Sequence, residues 1–133
     1  MDDRERKLLK LLQDRGSKIK ECKYQYARFD AYGDKSYIEL KERNKYYERT
    51  LIEFDKYAFN LEYAKQFGKI FAYVVKMENT IYVFNITKLV KDGYYFKWGW
   101  REMPKTTEFG NNEKIKKFVG YINTLDAIQT IKL

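Results

Sequence analysis

The feature that most limits the fold of this chain is the apolar run at residues 70–75, Ile-Phe-Ala-Tyr-Val-Val. The run is far shorter than the ~20 residues of a membrane span, and its β-branched and aromatic residues favour a strand. A turn at 77–80 and a β-prone segment at 81–86 predict a neighbouring strand. Because a nearly continuous apolar strand is typical of the centre of a sheet, we expect a fold built around residues 70–75.

Two helices are predicted before this strand. Residues 3–15 carry leucines at helical spacing and are followed by Gly16, which suits a helix stop. A second helix is predicted from Asp55, as its N-cap, to about Phe67, with Gly68 as its stop. The two helices enclose a region with the pattern of strands.

The remaining segments complete a mixed architecture. Residues 24–32 predict one long strand or two short ones, and residues 36–43 alternate between polar and apolar after a turn signal. The later segments are interpreted as an extended piece at 50–54, a strand at 94–101, a loop from Pro104 to about Asn112, a helix at 113–121 and a last strand at 127–133. The order predicts the α/β (α+β) class, with a central mixed sheet flanked by helices. No linker divides the chain, so residues 1–133 are interpreted as a single domain.

Composition excludes several kinds of chemistry. The chain has no histidine and one cysteine, Cys22. These counts exclude an internal disulfide, cysteine-cage zinc sites, His-dependent triads and HExxH metallopeptidases. Any catalysis must therefore depend on carboxylates, lysines, arginines and tyrosines.

A pair of carboxylates is predicted on one face of the hairpin. If its turn centres on residues 34–35, Tyr32 faces Tyr37 and Asp30 faces Glu39, with Lys41 on the same face. Opposed carboxylates repel each other unless a cation lies between them. Mg²⁺ is typically held by one or two carboxylates with waters and phosphate oxygens. The pattern therefore predicts a metal site, with Lys41 placed to stabilise a nucleophile or a developing phosphorane charge.

A third carboxylate is expected from one of two places. Glu5 lies three and four residues before Leu8 and Leu9, on the apolar side of the first helix. A carboxylate there is costly unless it is paired or metal-bound, although a solvated glutamate near the helix N-terminus is the simpler interpretation. Glu21 is the alternative.

Asp30, then eight residues, then Glu39-Leu40-Lys41 resembles the motif of the PD-(D/E)XK nuclease superfamily. The resemblance covers about residues 3–86 and includes a second helix that feeds a core strand, although Phe29 stands where the motif has proline. It implies a restriction-endonuclease-like core, as in small phage-type nucleases or Holliday-junction resolvases.

The resemblance also implies roles for individual residues. Asp30, Glu39, Lys41 and Glu5 would be catalytic; Asp30, Glu39, Glu5 and the carbonyl of Leu40 would hold Mg²⁺ or Mn²⁺, and Lys56 would lie near the phosphate. The expected activity is metal-dependent phosphodiester hydrolysis of DNA, by endo- or exonuclease cleavage that includes junction resolution as one option. A homodimer is implied because one active site cuts one strand at a time. No nucleotide cofactor is expected.

The basic residues fit a polyanionic partner. Lys and Arg total 27 against 19 Asp and Glu, for a net charge of +8, which favours nucleic acid as a partner. The candidate nucleic-acid contacts are Arg28, predicted to face Lys41 across the hairpin, together with Arg43, Lys45, Arg49 and Lys56. Ordinary solvated surface cations are the alternative for each of them.

Two further expectations concern the surroundings of the site. Tyr94, Phe96, Trp98 and Trp100 would share one strand face, which is interpreted as core rather than as a base-stacking surface. The amino-terminal residues lack the apolar segment of a secretory signal. We therefore expect no membrane association and a cytoplasmic protein of a bacterial or phage-infected cell. A non-catalytic nucleic-acid-binding module on the same fold is the alternative function.

Overall fold

The computed structural model describes residues 1–24, 27–104 and 113–133. Three helices and nine strands occur in these parts of the chain. In chain order they are α1 (Asp3–Asp14), β1 (Lys20–Glu21), β2 (Ala31–Tyr32), β3 (Ser36–Arg43), β4 (Arg49–Glu53), α2 (Phe54–Gln66), β5 (Ile70–Met77), β6 (Thr80–Asn85), α3 (Ile86–Lys91), β7 (Gly99–Pro104), β8 (Lys114–Asn123) and β9 (Gln129–Lys132), with a short 3-10 turn at Thr124–Asp126.

The main sheet has the strand order β1-β2-β3-β5-β6-β9. Strands β3 and β5 pair in parallel, and the other neighbours pair antiparallel. The sheet is therefore mixed, and β5 lies inside it between β3 and β6, as the apolar run predicts.

Helices cover both faces of this sheet, which explains why β5 is apolar from Ile70 to Val75. Its side chains alternate, so Phe71, Tyr73 and Val75 enter one core while Ala72 and Val74 enter the other. The first core includes Ala64 of α2 and Ile86 of α3, and the second is closed by α1 through Leu8, Leu9 and Leu12. A mixed sheet flanked by helices confirms the predicted fold class.

A second, three-stranded antiparallel sheet has the order β4-β8-β7. The helix predicted at 113–121 is therefore wrong, because this segment forms most of β8. Its buried residues Val119 and Ile122 are three apart, a spacing that is also typical of one face of a helix. The segment is a strand because it pairs with both β4 and β7.

Other boundaries differ from the sequence predictions. Glu53, not Asp55, is the N-cap of α2, and α3 was not predicted, although Asn85 caps it by accepting a hydrogen bond from the Lys88 N–H. The described part of 22–30 contains no strand, so a long strand at 24–32 is wrong.

The strand predicted at 94–101 begins only at Gly99 and ends at Pro104. The loop predicted from Pro104 to about Asn112 does not begin at Pro104, which is the last residue of β7, and residues 105–112 lie outside the described part of the chain. Strand β9 confirms the predicted last strand. No helix in the described parts of the chain is long and apolar enough to cross a membrane.

Candidate active site between the two sheets

A cavity of about 450 Å³ lies between the main sheet and the second sheet, and we call it the main cavity. Residues from α1, β3, β4, α2, β5, β7 and β8 line it. The charged residues among them are Asp2, Glu5, Glu39, Lys41, Arg43, Glu53, Lys56 and Lys117.

Asp30 lies next to the β2–β3 pairing, and burial together with the negative charge of Asp30 raises the pKa of Glu39. Ala31 pairs with Ile38 and Tyr32 with Tyr37, which confirms the predicted pairing of the two tyrosines, whereas the strand pairing does not include Asp30. The Asp30 N–H donates to the Ile38 carbonyl at 2.8 Å, one residue away from Glu39, which this register would place opposite Asp30. The Asp30 Oδ2 accepts a hydrogen bond from the Leu40 N–H at 2.8 Å.

The carbonyl of Leu40 lies on the same side of β3 as Asp30. The N–H and C=O of one strand residue project toward the same neighbouring strand, and the Leu40 N–H projects toward Asp30. Burial raises the pKa of Asp30, and the Leu40 hydrogen bond opposes that rise. Asp30 and the Leu40 carbonyl therefore offer oxygen donors on one side of β3.

Glu39 is a buried carboxylate with only one satisfied oxygen. It is 6% exposed, and its Oε1 lies 3.2 Å from the Lys56 Nζ. Its Oε2 is buried and has no hydrogen-bond partner among the described residues. Burial raises the pKa of Glu39 to about 7, although Lys56 opposes the rise. This oxygen, Oε2, is available as a ligand for a metal cation.

Lys41 lines the same cavity from the next inward position of β3. Burial is the main cause that lowers the pKa of Lys41, and the positive charges of Arg43 and Lys56 add to it. An amine in this environment gains from a negative charge placed nearby, such as a phosphate oxygen.

Glu5, and not Glu21, joins this group. Its Oε2 accepts a hydrogen bond from the Asp2 N–H in a capping box. Burial, followed by the negative charge of Asp30, raises the pKa of Glu5, so the two carboxylates interact. Glu21 instead pairs with Arg6 at 3.5 Å, on strand β1, and does not line the main cavity.

The structure separates the predicted nucleic-acid contacts. Lys56 and Arg43 line the main cavity, whereas Lys45 is exposed and does not line it. Arg49 lines a neighbouring hollow.

The prediction that Arg28 faces Lys41 is wrong. Arg28 lies over the Phe59 ring at 5.4 Å and pairs with Asp55 at 3.5 Å. The strand pairing does not extend back to Arg28. At this position the chain contacts α2 instead.

Sequence reasoning missed several residues of the cavity, among them Glu53, Tyr73 and Lys117. Glu53 contacts Lys117 at 2.7 Å and Lys56 at 3.6 Å, and Tyr73 donates to the Leu51 carbonyl at 2.9 Å. Glu53 was detectable, since it precedes Lys56 by three residues at a helix start. Lys117 was not, because its strand was predicted as a helix.

The donor set fits a divalent cation that keeps several waters. Among the described residues, no three acidic or cysteine side chains converge as a ready-made metal site. Mg²⁺, however, is commonly held by one or two carboxylates with water. The site offers two carboxylates, Asp30 and Glu39, and the backbone carbonyl of Leu40. Glu5 lies near Asp30.

The aromatic residues at 94–100 divide between core and surface. Phe96 is buried and Trp98 packs against the same core, whereas Trp100 is 65% exposed. The single shared face is therefore wrong, because residues 94–98 are not a strand. The interpretation as core holds for Phe96 and Trp98.

Comparison with known proteins supports the fold. No family model and no curated protein matches the chain. Among solved structures, the chain is similar to Hjc, a Holliday junction resolvase from the archaeal hyperthermophile Archaeoglobus fulgidus. The TM-score is 0.54 at 19% identity, over 97% of this chain and 88% of the resolvase chain. The restriction-endonuclease-like fold is thereby confirmed.

Proposed function

We propose that this chain is a divalent-metal-dependent deoxyribonuclease whose substrates include four-way DNA junctions. The observation that carries the proposal is that Glu39 and Lys41 line one cavity, with the Asp30 carboxylate close enough to add to burial in raising the pKa of Glu39. The fold that holds them is shared with a Holliday junction resolvase. The net charge of +8 fits a polyanionic substrate.

The carboxylates bind the metal in this proposal. Asp30, Glu39 and the Leu40 carbonyl would hold Mg²⁺ or Mn²⁺, and Glu5 would add negative charge near Asp30 from the side of α1. The ion, when bound, polarises the scissile phosphate and lowers the pKa of coordinated water. Lys56 favours the ionised form of Glu39 through their contact at 3.2 Å, and ionised carboxylate is the form that binds a cation.

Lys41 stabilises charge at the reacting phosphate. Its ammonium group lies in the cavity with a lowered pKa because of burial. A preorganised cation in a water-poor site stabilises developing negative charge more strongly than one in bulk water. A homodimer would present two such sites, one for each strand to be cut.

The test is cleavage of circular plasmid, linear duplex and a four-way junction, each with Mg²⁺, Mn²⁺ or EDTA. We expect metal-dependent cleavage that is lost in Glu39→Gln and Lys41→Ala. The exposed α2 variants Glu62→Gln and Lys65→Ala are the matched controls and should cut like the parent. Equal cleavage by the site variants and their controls would refute the proposal.

A non-catalytic DNA-binding module is the second candidate. The contact between Lys56 and Glu39 favours it, because the ammonium group already supplies positive charge to the buried carboxylate. This candidate predicts salt-sensitive DNA binding that EDTA leaves intact, with no strand cleavage under any metal condition.

A further inference from the structure

A second depression continues the main cavity across the second sheet. This side hollow has a volume of about 280 Å³ and is lined by Arg43, Tyr47, Arg49, Thr50, Leu51 and Tyr121. Arg43 and Leu51 also line the main cavity. The two depressions therefore form one trough that leads away from Glu39 and Lys41.

Two arginines converge on one tyrosine at this trough, and we call them the arginine–tyrosine cluster: Arg49, Arg101 and Tyr121. The guanidinium carbons lie 5.4 and 5.6 Å from the Tyr121 ring centroid. The Arg101 Nε also donates a hydrogen bond to the Tyr121 Oη at 2.7 Å. The ring and its hydroxyl thus orient both cations.

Strand register places the cluster on the trough side of the sheet. Tyr121 is opposite Leu51, and Arg101 is opposite Lys117. Directly opposed residues share a face, and Leu51 and Lys117 line the main cavity. Arg49 lies two residues from Leu51 and projects to the same face.

Among the described residues, no carboxylate forms an ion pair with the arginines of the cluster. In the described parts of the chain, Lys56, Lys76, Lys88 and Lys117 each pair with a carboxylate. No such ion pair occurs there for Arg43, Arg49 or Arg101. Cations held together without a carboxylate favour an anionic ligand, and a guanidinium group matches phosphate by bidentate hydrogen bonding.

We propose that Arg43 and the arginine–tyrosine cluster bind the phosphodiester backbone of the DNA strand where it leaves the main cavity. The identity of the ligand rests on the proposed nuclease function. Arg49 and Arg101 contact successive phosphates, Arg43 contacts the phosphate nearest the reacting one, and Tyr121 orients the two outer guanidinium groups. The cluster contributes to binding and not to the chemical step.

The test is the affinity of labelled duplex and four-way junction in EDTA, measured by fluorescence anisotropy over a series of salt concentrations. Each phosphate contact adds about 0.9 to the slope of log K against log salt. Arg49→Gln and Arg101→Gln should each weaken binding about threefold to tenfold and reduce the slope by about one. The double variant should lose about two units of slope. Tyr121→Phe should show a smaller loss, because it keeps the ring and removes the hydroxyl.

The matched control is Arg15→Gln, an exposed arginine at the C-terminal end of α1. That position is about 15 Å along the helix from Glu5. The control should bind like the parent, and circular dichroism melting should show that all variants are folded. A double variant that binds DNA with the parent's affinity and slope overturns the proposal.

Cleavage separates this proposal from the nuclease proposal. At saturating DNA the double variant should cut within about twofold of the parent rate, with a raised KM, since it lacks only binding contacts. If the double variant binds DNA more weakly and neither it nor the parent cuts DNA, the proposed DNA contacts of the trough are supported and the proposed nuclease function is refuted. If the double variant cuts DNA and binds it as the parent does, the proposed DNA contacts of the trough are refuted and the proposed nuclease function is retained.

Discussion

At the scale of single residues, the candidate site combines burial with charge that is only partly compensated. Glu39 has one oxygen against Lys56 and one without a partner among the described residues. Such an arrangement is costly for folding, because a buried ionised carboxylate loses hydration. Costly polar residues of this kind are more typical of functional sites than of stabilising cores.

Glu39→Gln should make the protein more stable at pH 8 while removing activity. The pKa of Glu39 is about 7 in the folded protein against an ordinary 4.5, because of burial. A raised folded-state pKa contributes stability below pH 4.5 that is lost as the pH rises through 7. The gain in the free energy of unfolding should be ~1–3 kcal/mol at pH 8 and should vanish near pH 4.

Urea denaturation at the two pH values measures this effect. The control Glu62→Gln changes an exposed carboxylate on α2 and should have little effect at either pH. A Glu39→Gln protein that is less stable than the parent at pH 8 would show that the contact with Lys56 outweighs the cost of burial.

At the scale of elements, α2 holds the segment that leads to Asp30. Asn60 is fully buried, and its Nδ2 donates to the Arg28 carbonyl at 2.9 Å. The β2–β3 pairing does not reach Arg28, so this hydrogen bond to α2 holds the backbone there instead. The helix therefore fixes the backbone two residues before a proposed metal ligand.

Asn60→Ala should destabilise the protein by ~1–3 kcal/mol, because it removes a fully buried side chain and its part-buried hydrogen bond to the Arg28 carbonyl. It should also weaken Mn²⁺ binding, since the backbone before Asp30 is no longer held. Denaturation and calorimetric titration measure the two effects. Lys65→Ala, an exposed change on the same helix, should leave both within error; unchanged Mn²⁺ affinity in Asn60→Ala would disprove the positioning role.

Strand β8 depends on a close approach between Gly120 and Trp98. A Cβ at position 120 would lie 2.9 Å from the Trp98 ring, closer than van der Waals contact allows. Gly120→Ala should therefore cost ~1–3 kcal/mol of unfolding free energy through overpacking. Gly99→Ala is the matched control, because a Cβ there meets nothing within 4 Å. Equal melting temperatures of the two variants would contradict this packing.

At the scale of the whole molecule, charged contacts join the two sheets around the main cavity. Glu39 of β3 contacts Lys56 of α2, which contacts Glu53 of β4, and Glu53 contacts Lys117 of β8. Tyr73 of β5 adds a hydrogen bond to the Leu51 carbonyl of β4. The cavity therefore depends on elements from both sheets.

A cation bound in this cavity should stabilise the whole molecule. A ligand that binds only the folded state raises stability by RT ln(1 + [L]/Kd), which is about 2.7 kcal/mol at 100-fold excess over Kd. Mn²⁺ should raise the melting temperature of the parent and of the exposed turn variant Asp34→Asn, but not of Asp30→Asn. The same rise in all three proteins would place the ion elsewhere.

The local pattern of the sequence determined the central strand, the first two helices and the hairpin register that sets Tyr32 against Tyr37. These features follow from residue periodicity and from a short turn, both of which depend only on residues that are close together in the sequence. Only tertiary structure decided that residues 114–123 are a strand, that Glu5 rather than Glu21 lies with Asp30, and that Lys117, Arg101 and Tyr121 lie near the site. Those placements depend on pairing between distant segments, which no local pattern encodes.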